Sequence, residues 1–448
     1  MIVEARLLRQ AGEPLWLVED GRGQRHAISA TSGRLLQTDA SRALLVGNAW
    51  VAGQPGPQGQ EPSLRHLETV ERDSAVRNLD ALRPFHRLAV GDGGRELLIS
   101  ARTGEVVRDS TSLDRAMYWA GNWLHLFRPL DAVGWGKARH DVLLWVAGGA
   151  LAVILTGLII GWQRWRPGWC GKPTYAQGRT QPYKVVWFRW HFWSGLIGGL
   201  LALTWALSGF LNNNPGQLFS PANPSREEMA RYLGGGLPSA SAGSTPLGIE
   251  GQGTDVVEVV WRPLGEQSYL TAYARDGRRR SLGSGKGNGS GVAGPAHDSI
   301  LAAARRLAEG APVLAVTRLN DYDSYYYPNH RRGPAEKPLP VLRVELGDAA
   351  ATHLYIDPLD GRLLARLDQS RRVYRWLWSG LHHWDLGWLY TRPVWDLWML
   401  TWVLLGLVLS VTSVVIGFKR LRRSVRVGKP SAPTRQPVPR LATETQGR

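Results

Sequence analysis

The chain has 448 residues, with 54 Lys and Arg against 37 Asp and Glu, giving a formal charge of +17. That length fits two or three domains, and so basic a balance suits nucleic acid, an anionic membrane surface or the flanks of membrane spans. Of the 21 Trp, 18 lie within residues 119–205 or 376–402, around apolar runs, which selects the membrane over nucleic acid. The lone Cys170 excludes an internal disulfide framework, a thiolate zinc site and an iron–sulfur cluster.

In chain order, residues 1–118 read as a region of short strands. His26-Ala27-Ile28-Ser29-Ala30-Thr31-Ser32-Gly33-Arg34-Leu35-Leu36 sets an alternating strand, a turn closed by glycine and a second strand, which predicts a hairpin. Leu97-Leu98-Ile99-Ser100-Ala101-Arg102-Thr103-Gly104-Glu105-Val106-Val107 has the same form. Residues 119–141 make a pre-span helix. Val142 to Trp162, Phe192 to Leu211 and Leu397 to Phe418 are uncharged and each about long enough to cross a bilayer, so spans are expected at 142–163, 188–211 and 396–418. A loop at 164–187 joins the first two. Residues 212–375 form a second strand-rich region, with a helix expected at Ser299–Ala308 from the shared face of Ile300, Leu301, Ala304 and Leu307. Its Gly/Ser-rich stretches at 234–253 and 283–291 read as loops. Gly283-Ser284-Gly285-Lys286-Gly287 lacks the spacing of a phosphate-binding loop. A pre-span segment at 376–395 and a basic, disordered tail at 419–448 complete the chain.

The basic residues orient the spans. Arg164, Arg166, Lys172, Arg179 and Lys184 lie between the first two, and Lys419, Arg420, Arg422, Arg423, Arg426 and Lys429 follow the third, so both flanks read as cytoplasmic. Residues 1–141 and 212–396 then fall on the periplasmic side of a bacterial inner membrane. The hairpin at 97–107 recurs as Leu354-Tyr355-Ile356-Asp357-Pro358-Leu359-Asp360-Gly361-Arg362-Leu363-Leu364, 257 residues later. Trp119 and Trp376, Leu124 and Leu381, and His125 and His382 keep that offset. The chain is therefore expected to be two related halves. An outer N-terminus and the absence of a first-half counterpart to the middle span both lead to the expectation of a further helix upstream of Met1.

Lys184-Val185-Val186-Trp187-Phe188-Arg189-Trp190-His191-Phe192-Trp193-Ser194-Gly195, leading into Leu203-Thr204-Trp205-Ala206-Leu207-Ser208-Gly209, resembles the PepSY-associated transmembrane family. Tyr325-Tyr326-Tyr327, Leu339-Pro340-Val341-Leu342-Arg343, the Tyr-Ile-Asp-Pro-x-x-Gly hairpin at 355–361 and Trp376-Leu377-Trp378-Ser379-Gly380-Leu381-His382 extend the resemblance from about residue 60 to 425. It implies a membrane protein of the α+β class: a transmembrane helical bundle with two periplasmic PepSY-like α+β regions, four spans being usual and three present here. It also implies iron-regulated expression and similarity to haem-containing reductases of ferric siderophores.

The histidines lead to haem by a separate route. His191 opens the second span and is followed at helical spacing by Gly195, Gly198, Ala202 and Gly209, a small-residue stripe on which a macrocycle could lie. The same stripe also serves plain helix packing. His125 and His382 are repeat mates that could share one iron. His140 and His383 are secondary candidates, and Arg189 a candidate partner for a haem propionate. Tyr325, Tyr326 and Tyr327 with Arg331 and Arg332 make an aromatic, basic cluster suited to an anionic ferric chelate, against the plainer reading of strand packing.

The function expected is electron transfer through one or two haem b groups. It runs from an unidentified donor to a ferric siderophore or chelate at the periplasmic face, with the lipid bilayer as surroundings and no nucleic acid. The alternative is a non-enzymatic PepSY membrane module binding a peptide or protein partner. A metal-chelate transporter is a third class, disfavoured by the lack of intramembrane acids and broken helices.

Overall fold

A computed structural model describes residues 1–52, 54, 62–169, 171–237, 255–284, 294–328, 334–389 and 391–427. Most of the Gly/Ser-rich stretches, Cys170, Arg331, Arg332 and the tail from residue 428 lie outside these; residues 419–427, expected as disordered tail, are helical instead, continuing the last span. The chain divides into two compact units, one of Met1–Leu143 with Asn214–Trp376, the other of Leu144–Asn213 with Leu377–Arg448.

The first unit repeats one plan. Its first copy runs β1 (Ile2–Gln10), β2 (Glu13–Asp20), β3 (Arg25–Ser29), β4 (Leu35–Leu36), a helix Ala40–Val51, then β5 (Leu64–Val70), β6 (Phe85–Val90), β7 (Arg95–Ser100) and β8 (Val106–Thr111). Its second runs β9 (Val256–Leu264), β10 (Gln267–Ala274), β11 (Arg279–Ser284), a helix His297–Leu307, then β12 (Val313–Leu319), β13 (Val341–Leu346), β14 (His353–Ile356) and β15 (Leu363–Leu367). Strands β5–β8 and β12–β15 each form a four-stranded antiparallel meander. The leading strands of both copies merge into one seven-stranded sheet, ordered β11-β10-β9-β1-β2-β3-β4. Its centre is the antiparallel pairing of β1 with β9, Ala5 opposite Trp261 and Leu8 opposite Glu258. The repeat read from 257-residue spacing is thus a pseudo-twofold architecture.

Alternation explains the strands: Leu15 and Leu17 of β2 and Ala27 of β3 are buried, as period-two residues on one face should be. The helix His297–Leu307 buries Ile300, Ala303, Ala304 and Leu307, the one-face spacing of an amphipathic helix, with Leu301 at the margin. Helix Ala40–Val51 is capped by Asp39, whose carboxylate accepts the Arg42 N–H at 2.8 Å, and packs Ala43, Val46 and Val51 on Leu88, Leu97 and Ile99. The hairpin at 355–361 shows why its motif takes that form. Asp357 accepts the Leu359 N–H at 3.0 Å, an Asx turn, and Gly361 closes it at φ 72°. A Cβ on Gly361 would meet Leu264 at 2.6 Å, and one on Gly104 would meet Gln10 at 2.4 Å. In both copies the end of the first strand presses on the hairpin turn.

Ion pairs follow the same symmetry. Arg262 donates to Glu4 at 2.8 Å and also to Asp360, while Arg6 pairs with Glu258 and with Glu105 at 3.1 Å. Each copy contributes a strand arginine to the other's strand glutamate and its own hairpin carboxylate.

Both copies then leave their last strand through a short helix, Ser112–Tyr118 or Gln369–Arg375, into a wide π-helical turn, Trp119–Leu124 or Trp376–Gly380. Among the described residues, three helices are long and apolar enough to cross a membrane: the first spanning helix Arg139–Arg164, the second Val186–Asn212 and the third Val394–Val427. This is a membrane protein of the α+β class.

Candidate functional site

In the second unit, the second spanning helix packs against both others through glycine. A Cβ on Gly199 would lie 2.8 Å from the Leu158 side chain of the first spanning helix, and one on Gly198 3.0 Å from Leu405 of the third. Small residues let helices approach where apolar side chains gain nothing by leaving lipid. Gly199→Leu is therefore expected to force the first and second spanning helices apart and lower the thermal midpoint in detergent, at a cost of about 1–3 kcal/mol. Gly209→Leu, with nothing within 4 Å of its Cβ, serves as the tolerant control.

The three helices line a half-open cavity of about 870 Å³, within the range of cofactor sites. Gly195, Gly198 and Ala202 of the second helix line it, with Gly157 and Gly161 of the first and Gly406 of the third. Three of the four small residues of the sequence stripe thus face one space; Gly209 does not line it. Its walls are aliphatic apart from aromatic side chains and a few polar groups, His191 being the one imidazole among the described lining residues.

The surroundings of His191 set its tautomer. The Thr412 hydroxyl lies 2.8 Å from the Val408 carbonyl and the Ser413 hydroxyl 2.7 Å from that of Leu409, so both hydroxyl protons are committed to the third helix. Their oxygens lie 3.2 and 3.4 Å from His191 Nδ1 and accept its proton. Nε2 is then the nitrogen with the lone pair, the arrangement of a metal-ligating imidazole whose far nitrogen is fixed by an outer partner.

His382 is held in the same way. Ser208, buried on the second spanning helix, donates to the Thr204 carbonyl at 2.6 Å and accepts from His382 Nδ1 at 3.0 Å. The His382 ring stacks on Trp378 with centroids 4.2 Å apart, and Trp205, which also lines the cavity, donates to the His382 carbonyl. His383 offers its carbonyl to Trp395 Nε1 at 2.8 Å. His191 and Ser208 are 17 residues apart on one helix, a rise of about 25 Å, so the two anchored imidazoles sit near its opposite ends.

The other candidates fall elsewhere. His125 follows the π-helical turn of the first unit and His140 opens the first spanning helix; both are exposed. Arg189 is exposed and does not line the cavity. The tyrosine cluster is not a uniform surface. Tyr326 is fully buried, stacked on Tyr355 with centroids 5.1 Å apart, and its hydroxyl donates to the Pro338 carbonyl, so it is a core residue with no face for a chelate. Tyr325 and Tyr327 are half-buried; Tyr325 accepts from Trp376 Nε1 and Tyr327 lies beneath the Arg375 guanidinium.

Sequence reasoning missed several participants. Tyr183 lines the cavity and accepts a hydrogen bond from Arg164, the last residue of the first spanning helix, which places a cation beside its mouth. Trp402 also lines it, and its buried Nε1 has no partner among the described residues. Thr412, Ser413 and Ser208 read in sequence only as small polar residues of apolar helices.

The PepSY-associated TM region model matches residues 23–248, half of the chain. The chain belongs to the PepSY-associated TM family. The match takes in the first two spanning helices with His191, begins further upstream than the motifs that suggested it, and stops before the third helix. No curated protein matches the chain.

Proposed function

We propose that this PepSY-associated TM protein carries electrons across a bacterial inner membrane through haem b, and that they reduce a ferric chelate at the periplasmic face. The observation that carries the reading is the cavity with a single anchored imidazole on a floor of small residues. The residues fit the group in four ways. His191 Nε2 is the nitrogen left to ligate, the glycines leave room for a flat ring, Trp402 Nε1 is an orphaned donor, and Arg164 stands ready for a carboxylate. When bound, haem b supplies a one-electron couple. The protein's part is to hold the ring, exclude water with aliphatic walls and orient His191 through Thr412 and Ser413. His382, anchored near the other end of the second helix, is the candidate ligand for a second group. Basic residues at 164–184 and 419–429 support a cytoplasmic placement of the His191 end. The ferric chelate as acceptor rests on the family resemblance.

The test is a dithionite-reduced minus oxidised spectrum of the purified protein, with haem quantified per chain and reduction of a ferric chelate followed in the same preparation. A b-type spectrum at one or two haems per chain is expected. Its absence after expression with ample haem supply would overturn the reading. It would then favour a non-enzymatic module, for which the first unit holds a groove of about 370 Å³ lined by Leu363 to Arg366 of the edge strand β15, a surface suited to strand addition by a peptide.

A further inference from the structure

A bend in an edge strand builds a second imidazole cluster, in the first unit. Strand β5 pairs with β6 so that Thr69 lies opposite His86 and Glu68 opposite Arg87; a bulge then sets His66 opposite Leu88. In a regular strand, residues three apart point to opposite faces. The extra residue at the bulge turns His66 onto the face of Thr69 and His86. There the Thr69 hydroxyl lies 2.9 Å from His86 Nδ1 and 3.3 Å from His66 Nε2, and the two ring nitrogens are 3.3 Å apart. His86 Nε2 lies 2.7 Å from the Thr38 carbonyl oxygen and must carry a proton to meet it, so Nδ1 of the neutral ring holds the lone pair.

The second copy of the repeat is an internal comparison. At the matching pair of β12 and β13, Arg318 lies opposite Leu342, and Leu342 belongs to the apolar core. This sheet position accepts leucine, so the fold itself does not demand a histidine at 86.

We infer that His66 Nε2, His86 Nδ1 and the Thr69 hydroxyl form a site for a divalent transition-metal ion of intermediate softness, Zn²⁺ or Cu²⁺. A tetrahedral ion with nitrogen bonds of about 2.0–2.1 Å holds two imidazole nitrogens about 3.3 Å apart, which is their separation here. The contact from His86 Nε2 to a backbone carbonyl is the outer bond that fixes a ligating ring. Imidazole nitrogens suit zinc and copper, whereas calcium and magnesium take oxygen sets. His86 is buried, but His66 is only half-buried and Thr69 exposed, so water reaches the remaining coordination positions.

The experiment uses the full chain in detergent, titrated with Zn²⁺ against a chelating dye and loaded with one equivalent of Cu²⁺ for electron paramagnetic resonance. One site per chain is expected, with copper hyperfine coupling to two imidazole nitrogens. His66→Ala should weaken Zn²⁺ binding at least tenfold and remove the coupling of one nitrogen. His86→Leu, the residue found at the matching position of the second copy, should abolish the site while the thermal midpoint stays within a few degrees. If His86→Leu fails to fold, His66→Ala decides alone. Absence of a stoichiometric Zn²⁺ site in the wild-type chain, or unchanged binding in His66→Ala, would overturn the proposal and leave a hydrogen-bonded histidine pair.

Discussion

Replacing His191 with alanine is expected to remove one b-type haem per chain and abolish reduction of a ferric chelate by dithionite-loaded vesicles. Among the described residues lining the cavity, no second imidazole stands in for it. The more discriminating variant is Thr412→Val with Ser413→Ala. These hydroxyls touch only Nδ1 of the ring, so the double variant keeps the ligating nitrogen and loses both hydroxyl anchors, leaving the Leu409 backbone contact. Outer partners of ligating histidines are typically worth 10–100-fold in affinity, and the same fall in haem retention is expected, with the cavity intact. Haem titration with the difference spectrum checks both. Full retention in His191→Ala would exclude the cavity as the haem site, whereas retention in the hydroxyl variant alone would reassign the tautomer. His140→Ala, at an exposed position, serves as the control.

Replacing Arg262 with methionine should destabilise the first unit by about 3–5 kcal/mol, because breaking a buried pair leaves an uncompensated charge. Its Asp360 side chain has no exposed surface, whereas Arg262 itself retains 13%. Burial opposes the guanidinium's charge, but Glu4 and Asp360 outweigh it and raise the pKa. For a unit of this size the loss corresponds to a thermal midpoint lower by roughly 10 °C. Adding Asp360→Asn should restore more than half of it. The asparagine oxygen can still accept the Arg362 N–H, which Asp360 takes at 3.0 Å, and the one carboxylate left without Arg262 is Glu4, whose side chain keeps 23% of its surface in water. The symmetry mate Arg6→Met should cost less, about 1 kcal/mol, since Glu105 and Glu258 keep roughly a fifth of their surface in water. Melting curves of the three variants followed by circular dichroism test the ordering; equal losses for Arg262→Met and Arg6→Met would contradict it.

The spans were legible because hydrocarbon demands long uncharged runs, and no tertiary contact can disguise one. The hairpins were legible because Asp357 and Gly361 act within their own turn. The small-residue stripe was legible as a pattern, though only three of its four members face the cavity. What joins distant residues was not legible. The His191 anchor lies 221 residues away, on Thr412, and nothing local marks that threonine. Three consecutive tyrosines suggested a surface, but they lie in the connection between β12 and β13, where Tyr326 turns inward onto Tyr355. The bulge that turns His66 left no sequence signature of its own, and nothing in the sequence singled out His66 or His86.

The pairing of β1 with β9 has a consequence for biogenesis. Ala5 meets Trp261, so during synthesis the opening strand waits for most of the chain before its outer edge finds a partner. Throughout that interval β1 offers a row of unpaired backbone groups, a template for pairing with another nascent copy. Contacts this remote form slowly, since the intervening loop must close first. Shielding the early half while the late half is still being made is therefore expected to raise the yield of folded protein.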